Sequence, residues 1–186
     1  KLPRTTLQEL LFYEDDPRLQ DVVQRQWPRM EKAREPNLNV KKQLSREAKD
    51  YGIENFAASP YHRELKSLGL AEDWFPQGSE FQQFHVSIAH ESAKRNGKDS
   101  DNLVLDIWHG VKDPLWRDDG LLPGRLPNSP SGLHYTFSKH RTITGQEELL
   151  MRGFPIDRMN FKGVGDFELV RQAVYALPVP VMGAAF

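Results

Sequence analysis

Prolines and glycines are the feature that most restricts how this chain can fold. Its 186 residues include 13 prolines and 13 glycines, and these are spread along the whole length. Proline removes a backbone donor and interrupts helices, whereas glycine favours turns. We therefore expect short helices and strands joined by long loops, and an irregular segment over residues 110–131, where four prolines occur.

The overall composition indicates a folded protein of ordinary size. Hydrophobic residues make up 38% and charged residues 27%, which is too apolar for a disordered chain. At about 150 residues per domain, the length predicts one domain with an appendage. The mean hydropathy of −0.64 and the lack of a long apolar run predict a soluble chain without a transmembrane segment. The net charge of −1 disfavours a dedicated DNA-binding domain, which is usually basic.

The first residues of the chain bear on processing but do not indicate a compartment. It starts with Lys1, and the first eleven residues show neither a signal-peptide run nor a transit-peptide composition. We expect a processed or truncated chain. The compartment stays open: the nucleus if the protein is linked to DNA, otherwise the cytoplasm or an organelle after processing.

The N-terminal third is predicted to be helical. Helix-start and helix-stop signals mark four segments. They are a helix capped by Thr6 through Tyr13, a helix over 18–33 after Asp16-Pro17, a helix after Ser45, and a helix from Ser59-Pro60 through Leu68 that Gly69 ends.

A small sheet is predicted in the middle of the chain. Polar and apolar residues alternate from Phe81 to Ile88, which predicts a half-buried strand. The polar segment 91–101 would be a loop, and residues 103–108, rich in β-formers, would be a second strand.

Two helices are predicted near the C-terminus. Thr144 and Glu147 have capping-box spacing, and the helix they start would end at Gly153-Phe154-Pro155. Asp166 would cap a second helix with Phe167, Val170 and Val174 on its apolar face. The expected fold class is α/β or α+β: a helical N-terminal third, a small mixed or antiparallel sheet, a proline-rich irregular segment and C-terminal helices. Residues 1–80 and 81–186 would form two regions of one compact unit.

Two segments near the C-terminus resemble conserved blocks of the DNA cytosine-5 methyltransferases. Residues 141–155, RTITGQEELLMRGFP, are similar to R-x-L-T-x-x-E-x-x-x-L-Q-G-F-P, and residues 171–181, RQAVYALPVPV, are similar to the closing Q-x-x-G-N-A-V-P-V-P block. The resemblance covers about 45 residues, roughly a quarter of the chain. The matching positions, for which we favour structural roles, are Arg141, Thr144, Glu147, Gly153, Phe154, Pro155, Gln172, Ala176, Pro178 and Pro180.

The resemblance implies a methyltransferase-like C-terminal region over 81–186 without the family's chemistry. In the family these blocks follow the target-recognition region, and the closing block completes the cofactor-binding domain. The catalytic proline–cysteine motif and the glycine-rich F-x-G-x-G turn that holds S-adenosylmethionine have no match here. The chain contains no cysteine, and serine lacks the thiolate's low pKa and nucleophilicity. Val174-Tyr175 stands where the closing block has Gly-Asn, and Arg152 replaces a glutamine. We expect neither catalysis by this chain alone nor a bound cofactor.

Several charged residues have more than one possible role. The capping box explains Glu147, whereas Arg141 could contact a phosphate, pair with Glu147 or Asp166, or reach a carbonyl. The six histidines lack metal-site spacing, so no metal is expected. Two small basic clusters, Lys94-Arg95 with Lys98 and residues 139–141, could contact nucleic acid, but nearby aspartates favour solvated loops.

Aromatic residues in loop-like contexts indicate a surface for a partner. Trp74, Phe75 and Trp116 are flanked by prolines or lie close to them, and large rings there would be exposed unless covered. Interfaces favour Trp, Tyr and Arg. The sequence thus predicts a non-catalytic interaction or scaffold protein, an accessory subunit that binds other protein subunits. The alternative is the DNA target-recognition half of a split or longer methyltransferase.

Overall fold

The computed structural model describes residues 7–20, 22, 38–54, 59–70, 80–107, 116–119, 121–123 and 134–176. Its α-helices are α1 (Leu7–Leu10), α2 (Leu38–Asp50), α3 (Pro60–Ser67), α4 (Glu80–Arg95), α5 (Gly145–Met151) and α6 (Asp166–Tyr175). Residues 17–20 are also helical, and short 3₁₀ turns span Ser100–Asn102 and Ile156–Arg158. The strands are β1 (Val104–Asp106), β2 (Trp116–Arg117), β3 (His134–Thr136) and β4 (Arg141–Thr142). The predicted mixed fold, with a small antiparallel sheet, is confirmed.

Helix α3 has the boundaries that the sequence predicts, because both ends are set by local chemistry. The Ser59 hydroxyl accepts a hydrogen bond from the His62 N–H (3.1 Å), and Pro60 occupies the first turn. Gly69 follows the helix with φ of 67°, a left-handed conformation that favours glycine. Other boundaries differ: α1 ends at Leu10 rather than Tyr13, and α2 begins before Ser45. Most of the predicted 18–33 helix lies outside the described residues.

The strand predicted from Phe81 to Ile88 is wrong, since these residues form the first half of helix α4. The helix also continues to Arg95, into the predicted loop. Its residues 84–90 are all buried, including His85 and Ser87. A helix that is buried on several sides lacks the single apolar stripe, repeating every 3.6 residues, of a surface helix. Its polar and apolar residues can therefore alternate as they do in a strand.

The sheet has the strand order β2-β1-β3-β4, and every neighbouring pair is antiparallel. In the registers, Leu105 of β1 lies opposite both Trp116 and Tyr135, and Tyr135 lies opposite Thr142. Strand β1 lies within the predicted strand 103–108 but is shorter, and Trp108 lies outside the described residues. Strand β2 corrects the prediction that 110–131 is irregular throughout; the rest of that segment, apart from the described 118–119 and 121–123, lies outside the described residues.

Helix α4 and the sheet share the main hydrophobic core. Its fully buried members include Val86 and Ala89 of α4, Leu105 of β1 and Tyr135 of β3, and Tyr61 of α3 closes it from the side. A second cluster joins the two ends of the described chain, with Phe12 and Leu19 packed on Leu149 of α5 and Leu169 of α6. Burial of each such side chain contributes about 1.5–3 kcal/mol. Within the described ranges, no helix has the length and apolarity needed to cross a membrane.

Candidate functional site

The turn from β4 into α5 carries the motif residues, and Thr144 organises it. The Thr144 hydroxyl accepts a hydrogen bond from the Glu147 backbone N–H (3.2 Å). In return, the Thr144 backbone N–H donates to Glu147 Oε2 (2.8 Å). This is the capping box that the sequence predicts, and it satisfies backbone groups that would otherwise lack partners at the start of the helix.

Glu147 also binds Arg141 and the backbone of Phe12. The Arg141 guanidinium donates to Glu147 Oε2 through Nη1 (2.9 Å) and to Oε1 through Nη2 (2.7 Å). The Phe12 N–H donates to Oε1 (2.6 Å), and the Phe12 carbonyl accepts from Arg141 Nη2 (3.2 Å). Arg141 is 3% exposed and Glu147 is fully buried. We call Arg141, Thr144, Glu147 and the Phe12 backbone the motif clamp, because they fasten the N-terminal segment to the C-terminal helices.

Further ionisable groups lie beside the motif clamp. His134 Nδ1 donates to Glu148 Oε1 (2.6 Å), and both side chains are buried. Asp166 does not cap its own helix as predicted: Gly165 is the N-cap, and Asp166 Oδ1 accepts from the Gly145 N–H of α5 (2.7 Å). Burial raises the pKa of Asp166 to about 7; the charges of Glu147 and Glu148 add to this, and the bond from Gly145 opposes it.

The side chains of the motif clamp bind one another and the Phe12 backbone. Each oxygen of Glu147 accepts two hydrogen bonds from within the chain, so the carboxylate is fully engaged. The two Nη atoms of the buried guanidinium also donate to the backbone carbonyls of Thr142 and Phe12, whereas Arg141 Nε has no hydrogen-bond partner among the described residues. In the part of the chain that the structure describes, no three His, Asp or Glu side chains are placed to hold a metal ion.

The remaining residues of the first block complete the end of α5. Gly153 has φ of 84°, and its N–H donates to the Leu150 carbonyl (2.8 Å), which closes the helix. Phe154 packs against the second hydrophobic cluster, and Pro155 precedes the 3₁₀ turn. Arg152, at the position of the family's glutamine, donates through Nη1 to the Ala176 carbonyl (3.1 Å) at the end of α6. The block therefore ties the two C-terminal helices together.

Helix α6 buries a face that overlaps only in part with the predicted one. Val170 is buried as predicted and Val174 is half-buried, but Phe167 is 46% exposed, and Leu169 and Ala173 are buried instead. The spacing of apolar residues misled the prediction because the helix has apolar side chains on two sides. One side packs on α5, and the other remains at the surface.

The outer side of α6 forms a shallow surface groove of about 460 Å³. Tyr175 is 69% exposed and stands where the family's closing block has asparagine. We call this surface the α6 face. It is lined by Glu168, Arg171, Gln172, Tyr175 and Ala176, two of which are motif positions; Phe167, at the start of the same helix, is exposed but does not line the groove.

The other predicted interface residues are only partly described. Trp116 is half-buried, pairs with Leu105 across the sheet and packs against the main core. Trp74, Phe75, Pro178 and Pro180 lie outside the described residues.

A cluster that the sequence did not indicate joins α3 to the turn between β3 and β4. The hydroxyl of Tyr61 lies 2.8 Å from the Tyr135 hydroxyl and 2.9 Å from His140 Nδ1. The ring of His90 lies 4.4 Å from the Tyr61 ring, centroid to centroid. These residues are far apart in the chain, so no spacing pattern could have connected them. The single local signal was the high content of aromatic residues and histidine.

A scan against protein-family models found no match, and a search of curated proteins found none either. The similarity to the methyltransferase blocks therefore rests on the residues of 141–181 alone.

Proposed function

We propose that this chain is a non-catalytic interaction protein, an accessory subunit that binds another protein through the α6 face, built on a methyltransferase-like C-terminal region. The observation that carries the proposal is the exposure of Tyr175 in a groove that Arg171 also lines, with a second exposed aromatic side chain, Phe167, at the start of the same helix. Exposed aromatic and arginine side chains are typical of protein interfaces.

The composition of the α6 face fits a protein partner. Tyr175 supplies a large ring with a polar tip, and Gln172 supplies an amide that can donate and accept hydrogen bonds. Arg171 and Glu168 form an exposed ion pair (2.8 Å), which carries no net charge. A face that is aromatic and electrically balanced suits a protein surface better than a polyanion.

The engagement of the motif clamp supports a non-catalytic role. Its guanidinium and carboxylate bind each other and the Phe12 backbone, so a substrate would have to displace a buried ion pair. Displacing one partner of such a pair costs about 3–5 kcal/mol. The absence of cysteine from the sequence also removes the thiolate on which the family's reaction depends.

The basic clusters favour protein over DNA as the partner. Each cation of the first cluster has a partner within the chain: Glu64 for Lys94 (2.7 Å), the Tyr51 ring for Arg95 (4.3 Å) and Asp118 for Lys98 (2.8 Å). In the second cluster, Arg141 is buried in the motif clamp and Lys139 lies over the Tyr13 ring. Phosphate binding would have to compete with these contacts.

The first experiment asks whether a partner binds the α6 face. The tagged wild-type chain and the double variant Phe167→Ser, Tyr175→Ser are purified from the native source under the same mild conditions. The proposal expects a protein that is retained in a fixed ratio by the wild type and lost from the double variant. Tyr13→Ser removes an aromatic side chain that is 76% exposed elsewhere and should leave retention unchanged. Equal retention by all three chains would contradict the proposal.

The second experiment tests the DNA alternative directly. Binding of duplex DNA is measured at 50 and 200 mM salt, where a DNA-recognition role predicts tight binding that falls steeply as salt rises. The proposal expects negligible binding at both concentrations. Strong, salt-sensitive binding would favour the DNA-recognition half of a split or longer methyltransferase instead.

A further inference from the structure

The turn between β3 and β4 is attached to helix α3 through a chain of three side chains. Tyr135, in β3, and Tyr61, in α3, are both fully buried, and their hydroxyls are 2.8 Å apart. The Tyr61 hydroxyl is also 2.9 Å from Nδ1 of His140, which is the last residue of the turn. His140 has φ of 51°, a left-handed conformation that is unfavourable for residues other than glycine. Such a conformation persists only where surrounding contacts impose it.

A second imidazole, His90 of α4, lies on the same tyrosine. Its ring centroid is 4.4 Å from that of Tyr61 and 5.7 Å from that of Phe137, which begins the turn. His90 is 1% exposed. Its Nδ1 lies 3.2 Å from Glu91 Oε1, and its Nε2 lies 3.7 Å from Glu64 Oε2.

We propose that the Tyr61–His140 hydrogen bond is an acid-released latch that holds the β3–β4 turn against helix α3. With His140 neutral and its proton on Nε2, Nδ1 accepts from the Tyr61 hydroxyl. Protonation turns Nδ1 into a donor, so the hydroxyls of Tyr61 and Tyr135 must reverse their direction. The contact that compensates for the left-handed backbone of His140 is then weakened, and the turn opens.

Charged groups around the latch both raise and lower the pKa values of His140 and His90, and burial has the largest effect. Burial lowers the pKa of His140 and of His90. The charge of His90 lowers the pKa of His140 further, and the charge of Lys94 lowers that of His90. The acidic groups oppose this effect. They are Glu64 on α3, Glu91 on α4, Asp101 in the first 3₁₀ turn and Glu14 in the N-terminal segment.

The sign of the pH effect follows from these lowered pKa values. An unfolded or opened histidine binds a proton more readily than the buried one, with an ordinary pKa of 6.5. The stability that the latch contributes is therefore complete above pH 6.5. It is lost as the pH falls below 6.5 through the folded-state pKa values.

The test is hydrogen exchange of the turn amides in the full chain at pH 7.5 and pH 5.0, corrected for intrinsic exchange rates. Exchange at residues 138–142 is expected to rise at pH 5.0, by up to about tenfold for each pH unit that separates the folded-state pKa of His140 from its ordinary value. Amides of α5 should not change. His140→Asn tolerates the left-handed conformation and does not titrate, so it should abolish the rise.

Two further variants test whether the pH response depends on the contact between His140 and Tyr61. Lys139→Asn alters the neighbouring position of the same turn but keeps the imidazole, so the pH response should persist. Tyr61→Phe removes the hydrogen bond to Nδ1 but keeps the ring, so exchange of the turn amides should already be raised at pH 7.5. An equal rise in His140→Asn and the wild type would overturn the proposal, as would turn amides that are as protected at pH 7.5 in Tyr61→Phe as in the wild type. The latch does not depend on whether a partner binds the α6 face.

Discussion

At the scale of single residues, the stability of the block 141–155 depends on the buried ion pair between Glu147 and Arg141. Glu147→Gln keeps the shape but leaves the guanidinium without a counter-charge at a site that is 3% exposed. We expect a loss of about 3–5 kcal/mol in the free energy of unfolding, measured by urea denaturation. Glu168→Gln breaks the exposed pair with Arg171 and should cause no measurable change. If Glu147→Gln is as stable as the wild type, the motif clamp does not hold the fold.

Asp166 gives a pH dependence of a definite sign. Its pKa rises to about 7 on folding from an ordinary 3.8, so the folded state binds the proton more tightly than the unfolded state. Its contribution to stability is complete below pH 3.8 and is lost as the pH rises towards 7. Asp166→Asn can still accept from the Gly145 N–H but does not titrate. We expect this variant to be more stable than the wild type at pH 8 by about 1–3 kcal/mol. The upper limit is modest because Asp166 is partly exposed to solvent.

Thermal unfolding of the two chains between pH 4 and 8 provides the measurement. Asp157→Asn is the matched control, because Asp157 is 85% exposed and pairs with Arg18 at the surface. Its curve should follow the wild type at every pH. Parallel curves for Asp166→Asn and the wild type would show that Asp166 has an ordinary pKa in the folded state.

At the scale of elements, the close approach of α5 and α6 depends on one glycine. A Cβ at Gly145 would lie 2.5 Å from the Leu169 Cβ and 2.7 Å from both the Asp166 carbonyl oxygen and the Val170 nitrogen. Two of these atoms are backbone, so the helices would have to separate. Gly145→Ala should cost about 1–3 kcal/mol in chemical denaturation, although alanine favours helices. Gln146→Ala, at the next position, should be neutral or slightly stabilising; equal behaviour of the two variants would contradict this packing.

The elements that could be predicted from the sequence are those fixed by local chemistry. Ser59-Pro60 and the Thr144–Glu147 capping box each satisfy helix-end groups with nearby side chains, and their helices begin where the sequence indicates. Helix α4 could not be predicted, since its pattern reflects contacts with several distant segments. The role of Asp166 was missed for a related reason: its carboxylate serves the N-terminus of another helix.

At the scale of the whole molecule, two histidines and one aspartate should have opposite effects on stability. In the range just below pH 6.5, acidification weakens the fold through His90 and His140 but strengthens it through Asp166. Acidification should therefore lower the unfolding free energy of Asp166→Asn by more than that of the wild type. Urea denaturation of both chains at pH 7 and pH 5.5 tests this, and a variant that gains stability on acidification would contradict it.

The candidate site was predictable only where it coincides with a motif. Arg141, Thr144 and Glu147 could be selected from their spacing, and the structure brings them together with the Phe12 backbone, which no motif indicates. The α6 face includes Gln172 and Ala176, but its exposed aromatic side chains depend on which side of the helix packs on α5. The Tyr61–His140 contact joins residues 79 positions apart, and only the tertiary fold creates it.

The central claim, that this chain works as a subunit bound to another protein, is tested most directly by the mass of the native particle. The chain itself has a mass of 21.4 kDa. Sedimentation of the protein purified gently from its native source should give a larger particle that contains a second protein in fixed ratio. The Phe167→Ser, Tyr175→Ser variant should sediment alone. A wild-type particle of 21.4 kDa with no co-purifying protein would contradict the account.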